Sequence, residues 1–131
     1  MPSKPIIYLN GLFWPLDQAN VSILDRGFTY GDGLFETLRS YSSKIFKFEE
    51  HLDRLFKSAR LIFIELPMTR NEIISAVYKT IEINDLSDSI IRITVTRGEQ
   101  EPGIIINHDL SPTVVIHARP IVPISKKTYE I

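Results

Sequence analysis

The sequence lacks cysteine altogether, which excludes disulfides, thiol nucleophiles and thiolate metal sites. It also lacks an excess of either charge, because 15 lysine and arginine residues stand against 16 aspartate and glutamate residues. No broad positive field is therefore expected, and neither nucleic acid nor a membrane surface is an expected partner. No apolar run approaches the ~20 residues that cross a bilayer, and the chain starts without the apolar stretch of a signal peptide. These absences together predict a cytoplasmic location.

What the sequence does contain is typical of one globular domain. Its 131 residues are 44% hydrophobic and 24% charged, a composition that supports a core and excludes a disordered chain. The motifs of phosphate-binding loops, serine-hydrolase elbows and zinc-protease helices do not occur in it. His108, Asp109 and His117 do not form a convincing ligand set, so no metal site is expected.

Two hairpins are predicted in the first part of the chain. Short apolar runs at 6–9 and 12–14 flank the Asn-Gly pair at 10–11, which is the strongest signal for a type I′ turn. Apolar and polar residues alternate over 34–41, and an apolar run returns at 45–48 after a polar turn. The chain therefore begins as paired antiparallel strands.

The segment between these hairpins is predicted as a short strand, 21–24, followed by a loop, 25–33. The loop holds three glycines within seven residues, which interrupt helix and strand pairing. Glycines also permit backbone amides to point at an anion, whereas a long turn with positive φ is the blander interpretation. On spacing alone, both interpretations stay open.

The second half of the chain has helical and then extended patterns. Apolar residues recur at steps of three and four over 52–63, and a capping-box spacing at 69–72 begins a second amphipathic helix that ends near Asn84. Two apolar runs, 90–96 and 113–118, are predicted as strands. The order predicts an α+β fold, with a mostly antiparallel sheet and two helices packed on one face.

Three basic side chains are candidates for binding. His51 and Arg54 lie three residues apart on one helix surface, where the arginine either binds a phosphate through two hydrogen bonds or belongs to a solvated charged face. Arg92 stands between Ile91 and Ile93 in an apolar strand. It marks either a water-exposed sheet face or a cavity that needs a fixed positive charge.

In combination, these segments resemble the N-terminal small domain of the class IV (fold type IV) pyridoxal-phosphate-dependent aminotransferases. The most specific stretch is Asp-Arg-Gly-Phe-Thr-Tyr-Gly-Asp-Gly-Leu-Phe-Glu-Thr-Leu-Arg at 25–39. Tyr-Leu-Asn-Gly at 8–11 precedes it, and Phe-Glu-Glu-His-Leu-Asp-Arg-Leu at 48–55 follows it. Ile-Ile-Arg-Ile-Thr-Val-Thr-Arg-Gly at 90–98 extends the resemblance through most of the chain.

The resemblance implies roles for four residues. Arg54 would bind the phosphate of pyridoxal 5′-phosphate, the implied cofactor, through its planar guanidinium. Tyr30 and Phe35 would line the substrate pocket and accept an apolar side chain. Arg92 would lie near the distal carboxylate of glutamate. We expect Arg54 to face a concave site that the two aromatic rings line.

The implied reaction moves an amino group from an L-amino acid with a branched side chain to 2-oxoglutarate. The resemblance also implies that the full-length enzyme is a homodimer. Two activities of the same family stay open as alternatives, those of D-amino-acid transaminases and aminodeoxychorismate lyases. Residues 99–110 lack the arginine of the D-amino-acid carboxylate trap, and Glu36 favours a transaminase over a lyase. Ile90 stands where many branched-chain enzymes have a tyrosine.

The family's lysine, which forms a Schiff base with the cofactor, belongs to a second domain. Lys126 and Lys127 lack its Lys-x-x-Asn context. We therefore expect a small domain over 1–120, a connector over 121–131 toward a missing domain, and no activity from this chain alone. The alternative from another class is a stand-alone binding or assembly module that retained the scaffold and lost the chemistry.

Overall fold

The computed structural model describes residues 3–103, 105–107 and 109–121. A turn of 3-10 helix covers Leu16–Gln18. The strands and helices, in chain order, are β1 (Ile6–Leu9), β2 (Leu12–Pro15), α1 (Arg26–Tyr30), β3 (Gly33–Tyr41), β4 (Lys44–Ile45), α2 (Phe48–Leu61), α3 (Arg70–Ile83), β5 (Ser89–Thr96) and β6 (Thr113–Pro120).

The six strands form one sheet in the order β2-β1-β6-β5-β3-β4, and every pairing is antiparallel. Both predicted hairpins are confirmed. Asn10 and Gly11 have φ values of 48° and 92°, the two positive values that a type I′ turn requires. Strand β4 has only two residues, and they pair with Ser40 and Tyr41 of β3. The rest of β3 therefore has a neighbour on one side only, β5, and forms a free edge of the sheet.

Helices α2 and α3 pack against one face of this sheet, as the apolar periodicity predicts. Their buried side chains share one core with alternate residues of the central strands, and this confirms the predicted α+β class. The largest apolar side chains fully buried in that core are Leu38, Leu52, Leu55, Ile73, Val77, Ile91, Ile93, Val95 and Ile116.

The predicted capping box begins α3. The Thr69 hydroxyl accepts a hydrogen bond from the Glu72 N–H at 3.2 Å, and the Glu72 carboxylate accepts one from the Thr69 N–H at 3.0 Å. Helix α2 starts at Phe48, with Glu49 and Glu50 in its first turn, where a negative charge interacts favourably with the helix dipole. Within the described residues, no helix is long and apolar enough to cross a membrane.

Two predictions between the hairpins are wrong. Residues 21–24 form no strand. The segment predicted as a loop contains α1, because the Asp25 carboxylate caps the helix by accepting from the Gly27 N–H at 2.8 Å. Gly31, at φ 63°, ends the helix in the left-handed conformation. The glycines that were expected to prevent regular structure therefore include the residue that terminates a short helix.

The proposed connector lies almost entirely outside the described residues. Of 121–131, only Ile121 is described, and its N–H donates to the Asp88 carbonyl at 3.3 Å. Lys126 and Lys127 belong to the part that is not described. The division into residues 1–120 and 121–131 stays a prediction.

Candidate functional site

Strand β3 carries candidate residues on both of its faces. Side chains alternate along a strand, so Glu36 and Leu38, both buried, point toward the helices. Phe35 and Thr37, both exposed, point to the opposite face, which we call the open face of the sheet. The free edge of β3 is the place where these two faces meet.

On the helix side of this edge, Glu36 holds Arg54 of α2 in a two-bond ion pair. The Arg54 Nε donates to Glu36 Oε1 at 2.6 Å, and Nη2 donates to Oε2 at 2.9 Å. The His51 Nδ1 lies 2.9 Å from the same Oε2 and 3.3 Å from the Arg54 Nη2. Such a parallel pair of bonds fixes the guanidinium plane, which a single contact does not do.

The charges in this cluster are unequally exposed. The Glu36 side chain is 7% exposed, whereas the Arg54 side chain is 65% exposed. Hydrogen bonds from Arg54 lower the pKa of Glu36 more than burial raises it, and His51 lowers it further. Glu36 therefore stays ionised at neutral pH, and its buried carboxylate holds the exposed guanidinium in place.

The cluster fits a phosphate group. Arg54 uses Nε and Nη2 for Glu36, and its Nη1 has no hydrogen-bond partner among the described residues. A permanently charged, exposed guanidinium with unused N–H groups, held rigidly by a carboxylate, is suited to an anionic oxygen. Neither interpretation of Arg54, a phosphate ligand or a solvated face, had included Glu36 as its partner. The fixed orientation that Glu36 imposes on the guanidinium suits a phosphate ligand.

On the open face, Phe35 contacts Arg92. The Arg92 guanidinium carbon lies 3.9 Å from the centroid of the Phe35 ring, a cation–π contact between β3 and β5. The register places Arg92 opposite Thr37, and both residues are exposed. Of the two interpretations of Arg92, the structure supports a charge on the open face of the sheet.

Tyr30 lies at the end of α1 and is held by two contacts. Its ring centroid lies 4.6 Å from the Arg26 guanidinium carbon. Its hydroxyl accepts a hydrogen bond from the Gly103 N–H at 2.9 Å. Arg26 also donates to the Gly103 carbonyl at 3.1 Å, so the same arginine holds the tyrosine and the segment that follows β5.

The Asp32 carboxylate links the segments that meet beside Tyr30. Its Oδ2 accepts from the Arg26 Nε at 2.8 Å and from the Arg97 Nε at 2.7 Å. Arg97 also donates to the carbonyls of Ile62 and Phe63, at the end of α2. Burial alone would raise the pKa of Asp32, but hydrogen bonds from Arg97 and Arg26 outweigh it and lower the pKa. One carboxylate therefore connects α1, β5 and α2.

The four predicted site residues are not all brought together. Phe35 and Arg92 touch each other, and Tyr30 lies at the end of α1, just before β3 begins. Arg54 lies on the helix side of the sheet with Glu36, opposite to Phe35. The expectation that Arg54 faces a concavity lined by both aromatic rings is therefore not met by contacts within this chain. Arg54 and Phe35 instead flank the free edge of β3 from opposite faces.

A separate groove of about 810 Å³ lies between the α2–α3 linker and residues 106–107 and 110–112. Phe63, Glu72 and Arg97 are among its lining residues, and none of the four predicted residues lines it. The described residues contain no group of three metal-ligating side chains, and His108 lies outside them.

Sequence reasoning missed Glu36 as the partner of Arg54. It considered only a phosphate ligand or a solvated charged face for Arg54. The signal was present in the alternation of β3, because Glu36 has the same parity as the buried Leu38. A carboxylate on the buried side of a strand requires a cationic or hydrogen-bonding partner, and the neighbouring helix supplies it.

Comparisons with known proteins agree with this architecture. The family model described as "Amino-transferase class IV" matches residues 33–131. The chain is 42% identical over 118 residues to a putative branched-chain-amino-acid aminotransferase of Methanocaldococcus jannaschii, covering 90% of this chain and 41% of that protein. It is 34% identical over 118 residues to a D-alanine aminotransferase of Staphylococcus aureus, covering 86% of this chain and 40% of that protein.

A solved structure has the same fold. The branched-chain amino acid aminotransferase of Escherichia coli superimposes with a TM-score of 0.85 at 27% sequence identity. The alignment covers 91% of this chain and 42% of that chain. The chain thus spans about two fifths of the length of these proteins. The family match over most of the sequence, with the same fold, establishes that this chain belongs to the class IV aminotransferase family.

Proposed function

We propose that this chain is the part of a pyridoxal-phosphate-dependent aminotransferase that anchors the cofactor phosphate and forms one wall of the substrate site. The protein moves an amino group from an L-amino acid, with a branched-chain side chain, to 2-oxoglutarate. The observation that carries this proposal is the exposed Arg54 guanidinium, held by buried Glu36 at the free edge of β3.

The residues of this chain bind and orient rather than react. Pyridoxal phosphate, when bound, supplies the electron-withdrawing ring that makes amino-group transfer possible. Arg54 holds the phosphate, and Glu36 keeps the guanidinium plane fixed while partly balancing its charge. Phe35 offers an apolar surface to a branched side chain, and Arg92, which contacts the Phe35 ring, attracts a carboxylate of the substrate. Tyr30, held by the Gly103 N–H, is proposed to line the same pocket.

The lysine that reacts with the cofactor is proposed to lie in a second domain, and the chain alone is proposed to be inactive. The described part exposes several large apolar side chains that a second domain or subunit would cover. Large examples are Phe28, Phe63, Leu61 and Ile23. We propose that a homodimer of the complete protein, located in the cytoplasm, covers part of this surface.

A D-amino-acid transaminase is the alternative that a specific observation favours, because a D-alanine aminotransferase is among the relatives. Against it, residues 99–110 contain no arginine to trap a carboxylate. An aminodeoxychorismate lyase is less favoured, because Glu36 occupies the position where those enzymes usually have threonine. A stand-alone module without catalysis is the remaining proposal from another class.

The test uses the protein that contains this chain together with the proposed second domain. Arg54→Ala is expected to weaken pyridoxal phosphate binding by about tenfold to a hundredfold, which corresponds to about 1.5–3 kcal/mol for a charge-assisted hydrogen bond. Arg60→Ala is the matched control, an exposed arginine of the same helix without an ion pair among the described residues. Equal cofactor affinity in the Arg54→Ala variant and the parent contradicts the phosphate role.

The substrate is tested by turnover with leucine and with D-alanine as amino donors, and in a separate assay with aminodeoxychorismate as a lyase substrate. Preference for leucine supports the branched-chain proposal, preference for D-alanine selects the D-amino-acid alternative, and turnover of aminodeoxychorismate alone selects the lyase. Absence of turnover in all three assays contradicts the enzyme proposal and supports the stand-alone module.

A further inference from the structure

The turn between β1 and β2 places an asparagine directly before a glycine. Asn10 is the only asparagine of the sequence that glycine follows, and it is exposed to solvent. Asparagine is a thermolabile residue, because the backbone nitrogen of the next residue can attack Cγ, the carbon of its side-chain amide. Glycine permits this attack best, since it has no side chain that shields its nitrogen. The sequence context and the exposure of Asn10 thus make it a candidate for deamidation.

The backbone of this turn opposes the attack. Asn10 has φ 48° and Gly11 has φ 92°. The type I′ turn that these values indicate has a ψ of about 30° at its first central residue. At that ψ the Gly11 nitrogen lies on the opposite side of the Asn10 Cα–C bond from Cβ, whereas ring closure needs the nitrogen and Cβ to eclipse each other. The intact turn therefore holds the Gly11 nitrogen away from Cγ.

The side chain of Asn10 is held by the neighbouring strand β6. Its Oδ1 accepts a hydrogen bond from the Val114 N–H at 2.8 Å, and the Asn10 N–H donates to the Val114 carbonyl at 3.0 Å. These two bonds continue the pairing of β1 with β6 by one residue beyond Leu9. Release of Cγ for the attack therefore requires that this end of the β1–β6 pairing opens.

The hydroxyl of Tyr8 holds the same turn from the helix side of the sheet. It donates a hydrogen bond to the Sδ of Met68, in the α2–α3 linker, at 3.3 Å. Burial raises the pKa of Tyr8, whereas a hydrogen bond from the Gly11 backbone N–H lowers it. Tyr8, Gly11 and Met68 all line one small cleft beside the turn. Loss of the Tyr8 hydroxyl is therefore expected to make opening of the turn more frequent.

We propose that Asn10 is a deamidation site that the fold protects, and that it reacts only when the β1–β2 turn opens away from β6. In the open turn a base removes the Gly11 amide proton, and the nitrogen forms a bond with Cγ of Asn10. The Cγ–Nδ2 bond breaks, and Nδ2 takes up a proton and leaves as ammonia. Water then opens the resulting cyclic imide. Cleavage between the nitrogen and Cγ gives aspartate, and cleavage between the nitrogen and the main-chain carbonyl carbon gives isoaspartate.

The two products affect the sheet differently. Aspartate at residue 10 keeps an oxygen that accepts from the Val114 N–H, so the turn and its contact with β6 are retained. Isoaspartate adds a side-chain methylene to the main chain, and a two-residue type I′ turn has no place for the additional atom. Because β1 joins β2 to the rest of the sheet, isoaspartate is expected to weaken the attachment of both strands to β6.

The experiment compares the full chain with the peptide Tyr-Leu-Asn-Gly-Leu-Phe, which has the sequence of residues 8–13, at mildly alkaline pH. Mass spectrometry with electron-transfer fragmentation measures aspartate and isoaspartate at residue 10, and NMR measures hydrogen exchange of the Val114 amide. Folding is expected to slow deamidation and Val114 exchange by the same factor, within about threefold, because both reactions need the same local opening. Asn20, which is exposed and followed by valine, is the internal control and is expected to stay unmodified.

A substitution at Tyr8 tests the opening directly. Tyr8→Phe is expected to speed both deamidation at Asn10 and exchange at Val114 about fivefold, which corresponds to about 1 kcal/mol for a hydrogen bond. Tyr78→Phe is the matched control, because the Tyr78 hydroxyl accepts from the Ile45 N–H at the opposite edge of the sheet, and it is expected to change neither rate. If Tyr8→Phe does not fold, Met68→Leu removes the acceptor of the same hydroxyl.

Three results overturn the proposal: deamidation of the folded chain as fast as that of the peptide, a slowing of deamidation that differs by more than about tenfold from the slowing of Val114 exchange, or equal deamidation rates in Tyr8→Phe and Tyr78→Phe. The measurement needs neither a cofactor nor turnover. Its outcome is therefore independent of the proposed function, which Arg54→Ala and the substrate assays test.

Discussion

Glu36 and Arg54, 18 residues apart in the chain, form a two-bond ion pair between the edge strand β3 and helix α2. The carboxylate is buried and the guanidinium is exposed. The difference in exposure matters because the buried Glu36 carboxylate has lost its water and requires the Arg54 hydrogen bonds. The exposed Arg54 guanidinium keeps other N–H groups available for a ligand. The pair thus joins a structural requirement of the sheet to the group that we propose binds phosphate.

The first prediction concerns the pH dependence of stability at Glu36. Its pKa is lower in the folded protein than in the unfolded chain, chiefly because of the Arg54 hydrogen bonds. The resulting stabilisation is present above the unfolded pKa of about 4.3 and is lost as pH falls through the folded value. Urea unfolding at pH 7 and pH 3 is expected to show a smaller loss of stability for Glu36→Gln than for the parent. Glu82→Gln, at an exposed position, is expected to retain the parental loss. Identical pH dependence in all three proteins contradicts the role of Glu36.

The second prediction concerns the carboxylate shared by two arginines. Asp32→Asn removes the charge between Arg26 and Arg97, whose side chains are 7% and 13% exposed. Breaking a buried pair from one side costs about 3–5 kcal/mol, because the remaining charges stay desolvated. Chemical denaturation is expected to show a loss of that order.

The matched control for Asp32 is Asp17→Asn. Asp17 pairs with Lys4, and both side chains are more than half exposed. An exposed pair of this kind contributes about 1 kcal/mol or less. If the two substitutions destabilise the protein equally, the Asp32 network does not connect the elements in the way described.

The third prediction compares two glycines of the segment after β5. Gly98 has φ 110°, and an added Cβ would collide with the Ser111 carbonyl oxygen. Gly98→Ala is expected to lower the free energy of unfolding by at least about 1–3 kcal/mol, the cost of a strained backbone residue. Gly103 has open space around its Cβ position and no positive φ, so Gly103→Ala is expected to be neutral or to stabilise by up to about 1 kcal/mol. Thermal unfolding of both variants measures the difference, and equal melting temperatures contradict it.

The fourth prediction concerns the hydroxyl of Tyr30. Tyr30→Phe removes the acceptor for the Gly103 N–H and is expected to speed hydrogen exchange of that amide about fivefold, as loss of a ~1 kcal/mol hydrogen bond implies. Tyr41→Phe is the control, because Tyr41 stacks with Arg39 and has no hydroxyl hydrogen bond to a described residue. Unchanged exchange at Gly103 in Tyr30→Phe shows that the hydroxyl does not hold this segment.

Local chemistry made several elements predictable. The Asn-Gly turn at 10–11 requires positive φ at both residues, and the capping box at 69–72 satisfies backbone donors without help from the rest of the chain. Helix α1 was missed although its cap, Asp25, lies next to it in sequence. The three glycines of this segment favour a loop, which outweighed the capping signal. The Thr113 hydroxyl, which donates to the Asp25 carboxylate, helps to hold the cap in place in the folded protein.

The sequence by itself determined the two hairpins, the two long helices, the fold class and the family, because turn chemistry, capping and hydrophobic periodicity act between residues close together in the chain. Only the tertiary structure decided which faces those elements present to one another. It paired Arg54 with Glu36 on one side of β3 and Phe35 with Arg92 on the other, and it placed the Asn10 side chain against Val114 of β6. Such pairings depend on strand order and register, which no local pattern specifies, so they follow only from the packing of distant segments around one core.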